Sequence, residues 1–213
     1  MITIIIPTLW KCGTTSHLLD DLITVQTIDE IIIIDNDSDN RPNWSVLKNR
    51  KITLIDRNAN IFVNPAWNIG VKIAQNNCIC LLNDDIVFDS KVFDLIDEQI
   101  LLSVGLIGLD MYNATGAPRI EEIIDWPYAF GCMMFVHKNK YKQIPSELKV
   151  MWGDTFLLLN LRNEGIYVVR GSSVSNTISI TTGNSEVINK YNLSQIISDE
   201  RNWWNNNQDK IYI

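Results

Sequence analysis

No apolar run in this 213-residue chain approaches the roughly 18 residues that cross a bilayer, so no transmembrane segment is expected. The N-terminus enters an apolar stretch at once with no basic region before it, so no secretory leader is expected either. Basic residues are the minority, 18 Lys and Arg against 25 Asp and Glu, for a net charge of −7. A sequence-independent nucleic-acid binder needs a basic face, so no nucleic-acid partner is expected. The four cysteines (Cys12, Cys78, Cys80, Cys132) form no Cys-x-x-Cys pair. Cys78 and Cys80 would share one strand face and read as small buried apolar residues, not zinc ligands or a disulfide; a reducing, cytoplasmic compartment fits. The first strand is not followed by Gly-x-Gly-x-x-Gly, which excludes the usual dinucleotide-binding turn, and neither a P-loop nor a Gly-x-Ser-x-Gly elbow occurs. His17 and His137 stand apart and read as surface or structural residues.

What is present is 46% apolar and 20% charged, the balance of an ordinary globular protein with a sizeable core. Residues 2–6, 30–34, 52–56, 78–82, 104–109 and 166–169 read as strands. Helical spacing covers 18–25, 65–74, 91–102, a helix that Asp154 would cap, and 185–197. Strands alternating with helices predict an α/β fold, a mostly parallel central sheet flanked by helices. The first four strands leave through polar residues: Thr8, then 35–39, 57–60 and 83–85. In an open α/β sheet such exits share one edge, where ligands bind. Loops are polar in any case, so the coincidence has a plain alternative.

Residues 78–88 read CICLLNDDIVF, a buried strand that stops on Asn83-Asp84-Asp85. Adjacent carboxylates there are costly, because desolvation and like charge both oppose ionisation. A hard divalent cation with oxygen ligands relieves that cost, and on an acidic chain it supplies the positive charge that phosphates need. Asn and Asp are also the usual residues of a strand-to-turn exit, so this stretch alone leaves both readings open.

Taken in order, residues 2–8, 33–39, Asn60, Asn68-Ile69-Gly70, Leu82-Asn83-Asp84-Asp85, Asp154, Arg162 and 165–167 resemble the landmarks of family 2 glycosyltransferases of the GT-A fold. The similarity is greatest to the rhamnosyltransferase-like branch and covers residues 2–176. It implies a single GT-A domain over 1–213, with a nucleotide-binding half (1–110), an acceptor and catalytic half (111–180) and a C-terminal extension (181–213). It implies Mn²⁺ or Mg²⁺ on Asp85, with Asp84 as a second ligand or a ribose contact and Asn176 where the family often has a metal-binding His. Pro7, Thr8, Asp35, Asn36, Asp37, Asn68, Asn83 and Asp84 would form the nucleotide site, with the one of Asp35, Asn36 and Asp37 that touches the base left open and a loop-stabilising helix start the alternative for Asn68. Asp154 would be the base that takes the acceptor proton. Trp126, Gly131 and Trp152 are candidates for the sugar and acceptor side, with core packing the alternative for both tryptophans.

Two further departures from the family pattern stand out. Phe62 replaces a glycine, so that loop is expected to leave the family's backbone path. Gly153 replaces a Glu, which leaves Asp154 as the one carboxylate of a usual pair. The function implied is transfer of a hexosyl group, rhamnosyl or glucosyl, from a UDP-sugar to a glycan or glycoprotein acceptor, with inversion. A non-catalytic nucleotide-sugar or glycan-binding module is the rival from another class. A sugar-phosphate nucleotidyltransferase is a third reading, disfavoured by the single glycine in residues 9–14. The apolar end at 211–213 suggests fusion to further domains or a packed terminus.

Overall fold

Successive residues of β1 (Ile2–Thr8) face alternate apolar layers, which is why all of it but Thr3 and Thr8 is apolar. Ile4 and Ile6 pack with Leu18, Leu19 and Leu22 of α1 (Thr15–Thr24), while Ile5 packs with Ala66, Trp67 and Val71 of α2 (Val63–Ile73) on the other face. The same alternation runs through β2 (Ile28–Asp35) and β4 (Cys78–Leu82); Cys78 and Cys80 share one face, buried and free. The computed structural model describes residues 1–110, 115–123, 130–172 and 183–211, and the backbone of 174–176. Trp126 lies outside the described residues.

The remaining elements are β3 (Ile52–Asp56), β5 (Ile86–Phe88), α3 (Glu98–Ser103), β6 (Leu106–Leu109), β7 (Arg119–Glu122), β8 (Met133–His137), α4 (Gly153–Leu161), β9 (Ile166–Arg170), β10 (Val174–Asn176), α5 (Ser185–Tyr191) and α6 (Leu193–Ile211). Among the described residues, one eight-stranded sheet runs β3-β2-β1-β4-β8-β6-β9-β7, and β10 pairs with β5. The first four strands are parallel, as expected. Beyond β4 the sheet is mixed: β8 runs antiparallel to β4 and β6, and β7 antiparallel to β9. Among the described residues no helix is long and apolar enough to cross a membrane.

Three expected boundaries change. The helix expected over 91–102 is a short 3₁₀ turn, Ser90–Leu95, and then α3; Asp97 interrupts the run by accepting the Ile100 N–H at 2.8 Å as the cap of a new helix. Asp154 is not the N-cap of α4. Trp152 takes that place with φ 58°, and Asp154 stands in the first turn. The tail helix is longer than expected and breaks at Asn192, φ 51°, into α5 and α6.

Candidate active site

The exits of β1 and β4 lie side by side because those strands are adjacent and parallel. The Thr8 hydroxyl donates to Asp84 Oδ2 at 2.5 Å, and the Thr15 hydroxyl donates to the Asp84 carbonyl at 3.1 Å. One residue back, the Asn83 N–H donates to the Cys132 carbonyl at 3.0 Å. Cys132 ends the 3₁₀ turn Phe130–Cys132, and its middle residue, Gly131, lies against Asp154. Thr8, Asp84, Asn83, Gly131 and Asp154 therefore form one continuous arc along the sheet edge.

Burial pushes the Asp84 carboxyl up to about 6; the Thr8 bond opposes this and the neighbouring Asp85 charge adds to it. Burial also raises Asp85, whose Oδ1 is enclosed with no hydrogen-bond partner among the described residues. A buried carboxylate oxygen without a donor is costly, and a divalent cation would remove that cost. The donor set therefore fits the metal that the resemblance implies. No cluster of three or more His, Cys, Asp or Glu exists among the described residues, so a cation here would draw its other ligands from phosphate and water. The backbone of Asn176 pairs with Ile86, which puts that residue beside the one following Asp85.

On the other side of β1, Asp35 is fully buried and committed to the protein itself. Its Oδ1 accepts from the Trp10 indole N–H at 2.8 Å and from the Asp37 N–H at 3.0 Å, and its Oδ2 receives Arg41, which also bridges to Asp56. These bonds make Asp35 the anchor of the loop that follows β2. Asn36 donates its N–H to the Thr8 carbonyl at 2.9 Å and accepts the Ile61 N–H at 3.2 Å. Asp37 accepts from Asn40 at 2.8 Å and from Lys190 of α5 at 3.1 Å. Burial acts to raise Asp37, but those bonds and the Lys190 charge outweigh it and hold the carboxyl below the ordinary value.

Asn68 lies in α2. Its amide accepts from Tyr141 OH at 2.7 Å and the Ile144 N–H at 3.0 Å, and donates to the Ile144 carbonyl at 2.9 Å. It therefore pins the segment after β8 to α2. Phe62 immediately precedes α2. It adopts φ 68°, the positive φ that glycine takes freely, at a strain of about 1–3 kcal/mol. Its ring is held edge-on to Tyr191 at 6.3 Å with Lys149 5.8 Å above it, contacts that offset the strain.

Asp154 Oδ1 accepts the Thr155 N–H at 2.7 Å. Its Oδ2 faces Gly131, where a Cβ would stand 2.6 Å away. Burial raises the Asp154 carboxyl, opposed by the Thr155 bonds. Gly153 has a physical reason: a Cβ there would lie 2.0 Å from Asn64 Oδ1. Asn64, absent from the sequence reading, is 1% exposed and donates to the carbonyls of Leu148 at 3.2 Å and Met151 at 3.0 Å. Trp152 stacks on Trp204 of α6, centroids 6.3 Å apart at 15°, so one of its faces is already covered.

The model of Glycosyl transferase family 2 matches residues 3–99, which include Thr8, Asn36, Asp37, Asp84 and Asp85. No curated protein matches the chain. Among solved structures, S. aureus TarS 1-349 in complex with UDP-GlcNAc is similar with a TM-score of 0.60 at 12% identity, over 93% of this chain and 66% of that one. TarS 1-349 in complex with UDP gives a TM-score of 0.53 at 14% identity, over 78% of this chain and 57% of that one. The mannosyltransferase PcManGT from Pyrobaculum calidifontis, in complex with GDP-Man and Mn²⁺, gives 0.54 at 14% identity, over 78% and 56%. The chain thus spans only about half to two-thirds of these relatives' lengths. The family model covers less than half of this chain, and the structural matches show the architecture: the chain has the GT-A fold.

Proposed function

We propose that residues 1–213 form one catalytic unit that moves a hexosyl group, rhamnosyl or glucosyl, from a UDP-sugar to a hydroxyl of a glycan or glycoprotein acceptor, with inversion. The arc from Asp84 through Gly131 to Asp154 carries this reading. It sets a carboxylate pair suited to a metal-bound diphosphate beside a single oriented carboxylate suited to a base. Pro7, Thr8, Asn36 and Asp37 border the nucleobase, and Asn83 and Asp84 meet the ribose side. Asp85, with Asp84 and Asn176 next to it, would hold Mn²⁺ or Mg²⁺, which when bound offsets the charge of the leaving diphosphate. Asp154 Oδ1 is fixed by Thr155, which leaves Oδ2 to take the acceptor proton. The acceptor oxygen bonds to the anomeric carbon as the bond from that carbon to the diphosphate oxygen breaks. Gly131 leaves room for this at Oδ2, and the free buried cysteines fit a reducing cytoplasm.

A melting-temperature panel of UDP, GDP and CMP, each with Mn²⁺ or EDTA, tests the donor and the metal together. UDP with Mn²⁺ at about 100 times its Kd adds about 2.7 kcal/mol, a rise of about 5–10 °C for a domain of this size. Equal shifts in EDTA count against the metal, and no shift with any nucleotide counts against the donor site. Gly131→Ala tests the other end of the arc. Its methyl group must displace the Asp154 carboxylate, so transfer falls about 100-fold while UDP affinity, by calorimetry, is unchanged.

A further inference from the structure

The geometry points to Glu200 of α6 as the positioning residue for Asp154, acting through the turn that starts α4; this rests on the reading of Asp154 as the base. Glu200 is 1% exposed, and its carboxylate accepts three consecutive backbone N–H groups: Lys149 at 2.6 Å, Val150 at 2.7 Å and Met151 at 2.8 Å. Hydrogen bonds to an ionised acceptor are the strong kind, and three on one carboxylate fix the path of the chain as well as its place.

The next residue, Trp152, is held at φ 58°, a conformation that non-glycine residues keep only when their surroundings over-determine it. Those surroundings come from the two sides of the segment. From α6, Trp204 stands one turn beyond Glu200 and stacks on the Trp152 ring. From the start of α2, Asn64 holds the carbonyls of Leu148, Lys149 and Met151. Asp154 is two residues past Trp152, and its useful oxygen has Gly131 as its neighbour, so a small rotation of this turn moves the base off the arc. The C-terminal extension thus belongs to the catalytic geometry.

The test uses the full chain and UDP release from UDP-glucose, UDP-rhamnose and UDP-N-acetylglucosamine, with Asp154→Asn run in parallel. Glu200→Ala removes all three bonds and lowers kcat about 30-fold with donor KM within twofold, an expectation scaled to the cost of small misplacements. Glu200→Gln keeps one accepting oxygen and falls in between. Trp204→Phe preserves the stack and keeps the wild-type kcat, whereas Trp204→Ala lowers kcat with donor KM unchanged; this pair decides the matter if Glu200→Ala does not fold. Unchanged kcat in folded Glu200→Gln and Trp204→Ala, whatever their melting temperatures, makes Glu200 structural only and overturns the proposal. So does a donor KM that changes as much as kcat. Turnover retained in Asp154→Asn, or none in the wild type, overturns the base reading itself, and Glu200 as its positioner falls with it.

Discussion

Asp154→Asn lowers transfer by about 10²–10⁴-fold, the usual worth of a general base, and leaves UDP affinity within twofold. The substitution keeps the side chain's size, and its amide oxygen can still accept the Thr155 N–H that holds Oδ1. What it loses is a proton acceptor at the position facing Gly131. Among the described residues no hydrogen bond links Thr8, Asp84 or Asp85 to this side chain, so the nucleotide end of the arc stays intact. UDP release with acceptor present, measured against calorimetric UDP binding, separates the two ends. Because burial raises the Asp154 carboxyl, the wild-type acid limb of kcat lies above the pH of an ordinary aspartate. Undiminished turnover in Asp154→Asn removes it from the chemistry, and joint loss of turnover and UDP binding makes it a structural residue.

The parts of this site that were legible in the sequence are those fixed by strand logic. Continuous apolar runs over 2–6 and 78–82 imply strands covered on both faces, and parallel strands put their exits on one edge, which is why Thr8 and Asp84 meet. Parts that depend on contacts distant along the chain were not legible. Nothing local in Asn68 distinguishes a nucleotide ligand from a clamp on Ile144, 76 residues away. The partners of Asp35, Trp10 and Arg41, reach it only through tertiary folding. Phe62 looked incompatible with a glycine-like turn until Tyr191 and Lys149 supplied contacts from other elements. That Gly153 carries no side chain was legible, but not the reason in space: Asn64 occupies the place a Cβ would need.

The metal-free protein is expected to lose stability as pH rises from about 4 to about 6, the reverse of what salt-bridged carboxylates produce. The folded Asp84 carboxyl sits at about 6 against an ordinary 3.8, so in this window the native state binds more protons than the unfolded chain. Stability then falls with rising pH, and the gap between the two values amounts to about 3 kcal/mol when fully developed. For a chain of this length that is about 6–12 °C of melting temperature. Asp85 and Asp154, also raised by burial, act in the same direction. Asp37, Asp56, Glu98 and Glu121, whose carboxyls are held below the ordinary value, contribute stability that is lost as pH falls, and the two glutamates therefore oppose the trend only at the lower end of this window. A divalent cation binds the ionised pair, so Mn²⁺ with UDP should abolish or reverse the fall. Asp84→Asn, which cannot ionise, should flatten it without metal. Scanning calorimetry from pH 4 to 7 with EDTA and with Mn²⁺ plus UDP reads both effects. A metal-free melting temperature that stays level or climbs across this window would show that the pair is solvated like ordinary surface carboxylates and has no need of a cation.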